Sequence, residues 1–100
     1  MSQPRRLWIR FRRVDRSQQS AYREAVSEAG ATADASGSHF WAFSLDGDPG
    51  RFVEFLEGPR DAALELLDQR TSESLAASGP LEEAGVRTDG ARCTELRVEG

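Results

Sequence analysis

His39 is the only histidine in a chain of 100 residues, and Cys93 is its only cysteine. An imidazole titrates near neutrality, so His39 is one candidate general base. A metal ion needs several ligands at set spacings, and a lone His beside a lone Cys does not supply them, so no metal site is expected. Nothing in the sequence sets a base beside Cys93, which reads as an inert, half-buried thiol. Glu54 is the second candidate base. It sits within Phe52-Val53-Glu54-Phe55-Leu56, where alternation puts it on one side of a strand with Phe52 and Leu56. Burial there is expected to raise its pKa. Arg10 and Arg97 are candidates for orienting an anionic substrate, with Glu95 beside them, and cross-strand ion pairs would use the same residues. Trp8, Phe40 and Phe52 offer flat rings for a planar ligand or for packing between two copies.

The elements that must position these groups centre on His39–Gly58, which holds five of the eight aromatic residues. His39–Leu45 is aromatic without a helical period, and Arg51–Glu57 alternates, so both read as strands. Asp46-Gly47-Asp48-Pro49-Gly50 between them is turn chemistry. A loop symmetric about Asp48 sets Phe43 opposite Val53 and Trp41 opposite Phe55. The same stretch superficially imitates a calcium loop, but Arg51 occupies the place that requires Gly, and strands flank it.

Before the hairpin, Leu7–Val14 alternates as a strand, with Met1–Arg5 expected to be flexible. Asp15 with Gln18, or Ser17 with Ser20, could cap a helix running to about Ala29. Its stripe is Ala21, Tyr22, Ala25, Val26 and Ala29, and Gly30 is the expected stop. Ala31–Ser38 reads as a loop. After the hairpin, Gly58-Pro59 opens a second helix with Ala63, Leu66, Leu67 and Arg70 on one face. It continues through Thr71–Ala77 or restarts there, and Ser78-Gly79-Pro80 ends it. Leu81–Ala84 suits a short helical turn, Thr88-Asp89-Gly90 a turn, and Ala91–Glu99 the last strand.

Strand, helix, strand, strand, helix, strand predicts one α+β domain, a ferredoxin-like βαββαβ antiparallel sheet with both helices on one face. The more apolar side, Leu7, Ile9, Phe11, Trp41, Phe43, Val53, Phe55, Leu96 and Val98, is expected to meet the helices. The side with Trp8, Arg10, Arg12, Phe40, Phe52, Glu54, Leu56, Cys93, Glu95 and Arg97 is then left open. Such a patch needs a cover, and a second copy of the chain is the expected one.

Composition sets the outer limits. Hydrophobic residues make up 38% and charged residues 30%, which suits a soluble single domain. The net charge of −4 argues against nucleic acid and anionic membrane as partners. The element order is also that of an RNA-recognition domain, but the basic and Gly positions of its sheet motif are missing before Phe52. All 13 basic residues are Arg, which excludes a lysine Schiff base. No run is apolar enough to span a bilayer or act as a signal peptide, and the lone thiol suits a reducing cytoplasm.

The chain resembles the dimeric α+β barrel superfamily, and within it the antibiotic-biosynthesis-monooxygenase-like group. The likeness lies in Ile9-Arg10-Phe11-Arg12, a Tyr- and Glu-bearing first helix, the aromatic second strand, Asp48–Gly58, and the helix opening Pro59-Arg60-Asp61-Ala62-Ala63. The resemblance implies a homodimer with a small, aromatic or polyketide-like ligand. It also implies oxidation by oxygen without metal, flavin or other cofactor, the substrate carbanion supplying the electrons. Haem-degrading members use a histidine on the second helix, and Pro59–Ala77 has none. The Asn and Tyr of some monooxygenase pockets have no counterpart here: the chain has no Asn, and its single Tyr lies on the first helix. On this reading Glu54 or His39 is the base, Arg10 and Arg97 orient the substrate, and Trp8, Phe40 and Phe52 form the walls.

Overall fold

A computed structural model describes residues 4–81 and 91–95. The elements are β1 (Arg6–Arg13), a 3-10 turn (Arg16–Gln18), α1 (Gln19–Ala35), β2 (His39–Ser44), β3 (Arg51–Gly58), α2 (Asp61–Ser78) and β4 (Ala91–Thr94). The strands pair antiparallel in the order β2-β3-β1-β4, the ferredoxin-like arrangement. The hairpin has the expected register, Phe43 opposite Val53 and Trp41 opposite Phe55. The connection uses Gly47 and Gly50 at positive φ, where a Cβ would be strained. The last strand, expected over Ala91–Glu99, is formed at Ala91–Thr94; its remainder with Arg97, the turn expected at Thr88-Asp89-Gly90 and positions 82–84 of the expected helical turn lie outside the described residues.

The sheet is turned over relative to expectation. The helices cover the row Trp8, Arg10, Arg12, Phe40, Glu54 and Leu56, all buried. The opposite face carries Leu7, Ile9, Phe11, Trp41, Phe43, Val53 and Phe55. Trp41 and Phe43 there are 45% and 56% exposed. The reason is polar as well as apolar. The charged row finds hydrogen-bond partners on the helices, so its burial leaves few polar groups unmatched. The apolar row needs no such partners and can wait for another cover. The open face is therefore the greasier one, the reverse of the face assigned to it from the sequence.

Both helices differ in detail from the periodic reading. Neither Asp15 nor Gln18 makes a side-chain cap. α1 runs through Gly30 and stops at Gly37, whose φ is +78°. There Gly37 N–H donates to Asp34 O at 3.3 Å and Ser38 N–H to Ala33 O at 2.9 Å. That paired ending satisfies two carbonyls that the helix end would leave open. Alanines at 31, 33 and 35 carry the helix past Gly30 at little cost. α2 is continuous and buries Leu64, Leu67, Thr71, Leu75 and Ser78, while Leu66 is exposed. Its stripe is thus rotated from the expected one, because Leu75 belongs to the same helix and pulls the core line with it. Tyr22, Ala25, Ala29 and Ala33 of α1 complete the core beneath Phe40 and Leu56.

The exit of α2 is fixed by close approach. A Cβ at Gly79 would run into the carbonyl of Arg13, which is backbone and cannot swing aside. Gly79→Ala is therefore expected to cost about 1–3 kcal/mol by overpacking. Urea denaturation checks this, and an unchanged midpoint would show that the contact is not tight.

Candidate functional site

The β1 row facing the helices is a line of donors. Arg6 Nε and Trp8 Nε1 both donate to Asp61 Oδ1 at 2.9 Å. Arg10 Nη1 donates to Asp68 Oδ1 at 2.6 Å, and Arg12 Nη1 to the Gly79 carbonyl at 2.6 Å. Strand alternation brings these four side chains to one face, and α2 meets them with its first turn, its middle and its exit.

Glu54 is the hub. It pairs with Arg10 across the β1–β3 ladder and is fully buried. Its Oε1 accepts from Arg10 Nε at 2.6 Å and Arg12 Nη2 at 3.3 Å. Its Oε2 accepts from Arg12 Nε at 2.7 Å and the Tyr22 hydroxyl at 2.6 Å. Burial by itself opposes the charged form, but the Arg12 hydrogen bond and the charges of Arg10 and Arg12 outweigh it. The Glu54 carboxyl is held below its ordinary pKa, not raised as expected from burial alone. Burial and the neighbouring Glu54 carboxylate push the Tyr22 phenol well up, so Tyr22 stays a neutral donor. Burial likewise works against the Arg10 charge, and Glu54 and Asp68 more than compensate, so its pKa is raised. With both oxygens engaged and its pKa lowered, Glu54 is an anchor for two guanidiniums.

One valence of this cluster is open. Arg10 Nη2 is buried and has no hydrogen-bond partner among the described residues. Of the three rings expected to form walls, Trp8 and Phe40 are buried, and Phe52 lies against Tyr22 with ring centroids 4.8 Å apart.

The other candidates lie elsewhere. His39 is on the opposite face of the sheet, half exposed, with Nδ1 2.9 Å from Glu57 Oε1 and its ring stacked on Trp41. Arg5, expected to be flexible, is tied to Glu57 and to the Gly37 carbonyl. Its N–H donates to Glu95 Oε1 at 3.0 Å, so Glu95 sits at the foot of β1 and does not join Arg10. The sequence reading missed Arg12, Tyr22 and Asp68. A legible signal existed: two arginines and one Glu on a covered face call for a further acid, and Asp61 and Asp68 fall two helical turns apart on α2.

Clefts of about 330 Å³, lined among others by Arg60, Leu66 and Arg70, and about 320 Å³, lined among others by Arg13, Asp15 and Gly50, lie at the surface away from Glu54. Among the described residues no three His, Cys, Asp or Glu gather as metal ligands, and no helix is long and apolar enough to cross a membrane.

No protein-family model and no curated protein matches the chain. Solved structures do. A Nitrosomonas europaea protein provisionally assigned as an antibiotic biosynthesis monooxygenase aligns with a TM-score of 0.75 at 15% identity, over 100% of this chain and 98% of its own. A Caulobacter crescentus CB15 protein with the same provisional assignment gives 0.64 at 13% identity, over 98% and 93%. A third, named as an antibiotic biosynthesis monooxygenase, gives 0.58 at 22% identity, over 95% and 99%. At these identities the likeness establishes the fold, which is the α+β fold of those proteins.

A lowered Glu54 pKa stabilises the folded state. That contribution is complete above the unfolded carboxylate value of about 4.3 and is lost as pH falls towards and through the lower folded value. Urea denaturation from about pH 7 down to about pH 2 should show this loss, with Glu54→Gln giving a flatter profile. Tyr22→Phe should cost about 1.5–3 kcal/mol at neutral pH by removing a hydrogen bond to a charged group.

Proposed function

We propose that this chain, with its antibiotic-biosynthesis-monooxygenase-like fold, forms a homodimer through the open sheet face. Each copy would bind a small aromatic ligand between sheet and helices. The apolar face carries the reading: Trp41 and Phe43 are exposed, Leu7, Ile9, Phe11 and Phe55 are part-exposed on the same face around a buried Val53, and Phe43 lies edge-on to Phe55 at 5.6 Å. Single domains seldom leave such a surface wet. A two-fold axis lets one surface cover itself without a second gene product. His39, Glu57 and Arg51 stand at its margin, where Arg51 caps the Phe11 ring at 4.7 Å. In this assembly His39 belongs to the rim of the interface.

The ligand would lie beside Trp8, Phe40 and Phe52, oriented by Arg10, with Glu54 positioning Arg10. In the enzymatic form of the reading, one ring CH2 of the ligand reacts with one O2: one oxygen atom stays on that carbon as C=O, and the other leaves as water with the carbon's two hydrogens. The ligand supplies the electrons, and no metal or flavin takes part. A cytoplasmic location is supported by the lone thiol, Cys93, which suits a reducing compartment. A second reading, a dimer that binds without turnover, draws on the filled valences of Glu54, which leave that cluster without a free base.

The wild-type protein should sediment as a dimer at micromolar concentration, and Trp41→Glu should sediment as a folded monomer. A monomeric wild type would sink the proposal. Oxygen uptake with anthrone-like substrates separates the two readings: uptake supports the oxygenase, and binding without uptake supports the second.

A further inference from the structure

The face that the sequence pointed to on α2, Ala63, Leu66, Leu67 and Arg70, is not the one the core takes. The core uses Leu64, Leu67, Thr71 and Leu75. The remaining stripe, with Arg60 before it and Thr32 of α1 across from it, lines the cleft of about 330 Å³ between the two helices. That volume falls in the range of about 300–1,000 Å³ usual for small-molecule sites. Leu66 is 45% exposed there. It stands on the helix side of the sheet, so a second copy seated on Trp41 and Phe43 leaves it uncovered.

The charge of this cleft is one-sided. Arg5, Arg6, Arg10, Arg12 and Arg13 each meet a carboxylate. Arg60 and Arg70 have no hydrogen bond or ion pair among the described residues, and no Asp or Glu lines the cleft. Glu28 reaches only an adjoining hollow of about 50 Å³, where it makes no ion pair with Arg70. The cleft of similar size at Arg13 and Arg16 is different: Asp15 is in its wall, and Arg13 is paired with Asp48. In a chain of net charge −4, two unanswered guanidiniums on one cleft select an anion.

The walls narrow the anion further. Arg60 and Arg70 lie about 15 Å apart along the helix axis at about 1.5 Å per residue. Ala63, Leu66 and Leu67 fall between them, and no aromatic ring lines the cleft. The surface is thus aliphatic in the middle and cationic towards each end. A guanidinium pairs with a carboxylate through two parallel hydrogen bonds. We propose that this cleft binds a linear aliphatic dicarboxylate, its chain along Ala63, Leu66 and Leu67 and one carboxylate against each of Arg60 and Arg70. A monocarboxylate answers one guanidinium and sets its alkyl end beside the other. The site shares no residue with the Glu54 cluster or the open sheet face, and it does not depend on the ligand or the dimer proposed above.

Suberate, octanoate and octane-1,8-diol have chains of equal length with two, one and no carboxylates, and titration calorimetry of the full chain at low salt compares them. The wild type should bind suberate about threefold to fivefold more tightly than octanoate, the worth of one further exposed ion pair, and the diol least of all. Arg60→Gln and Arg70→Gln should each remove the margin between suberate and octanoate. Leu66→Ser should weaken both acids alike. The three side chains are exposed, so the core is left intact, and circular dichroism checks that each variant is folded. Equal binding of suberate and octanoate by the wild type would overturn the inference without recourse to any variant. So would the absence of saturable suberate binding, or a margin that survives both arginine substitutions. None of these results bears on the sheet-face dimer, which sedimentation tests separately.

Discussion

A single buried carboxylate holds this fold in register. Glu54 ties β3 to β1 through Arg10 and Arg12, and ties both strands to α1 through Tyr22. Removing a charge from water is expensive, and it is tolerated here because four donor groups meet two oxygens at hydrogen-bond distance. Once Glu54 faces the helices, alternation sends Val53 and Phe55 the other way, and the ladder carries Ile9, Phe11, Trp41 and Phe43 with them. The polar hub thus decides which side of the sheet is left bare. A slip of one residue in β3 would turn Glu54 outwards and strand two guanidiniums under the helices.

The same row sets the place of α2. Arg6, Trp8, Arg10 and Arg12 alternate along β1 and reach Asp61, Asp68 and the Gly79 carbonyl along the helix. Leu64, Leu67 and Leu75 supply the apolar contact, and the long side chains of β1 supply direction. This division is common where specificity matters: apolar burial drives collapse, and paired polar groups choose among the collapsed arrangements. The small residues of α1, Ala25, Ala29 and Ala33, let that helix lie close over Phe40 and Leu56.

Much of this was legible in the residues. Turn chemistry at Asp46–Gly50 fixed the hairpin register to the residue, because loop length and pairing are locked together. Element order and handedness fixed the sheet. The inner side chains were harder to read. Glu54 looked like a base with a raised pKa, since burial was visible in the pattern and its partners were not. Tyr22 and Asp68 lie 32 residues before and 14 after it in the chain, and only packing brings Tyr22 to Glu54 and Asp68 to Arg10.

What the sequence determined by itself is local: strands from alternation, helices from stripes and stops, and the pairing that a short turn enforces. Which face of the sheet the helices take was decided only in three dimensions. Both faces carry apolar residues, so counting them favours the wrong one. The choice follows from where charged side chains find partners, and those partners come from helices distant in the chain.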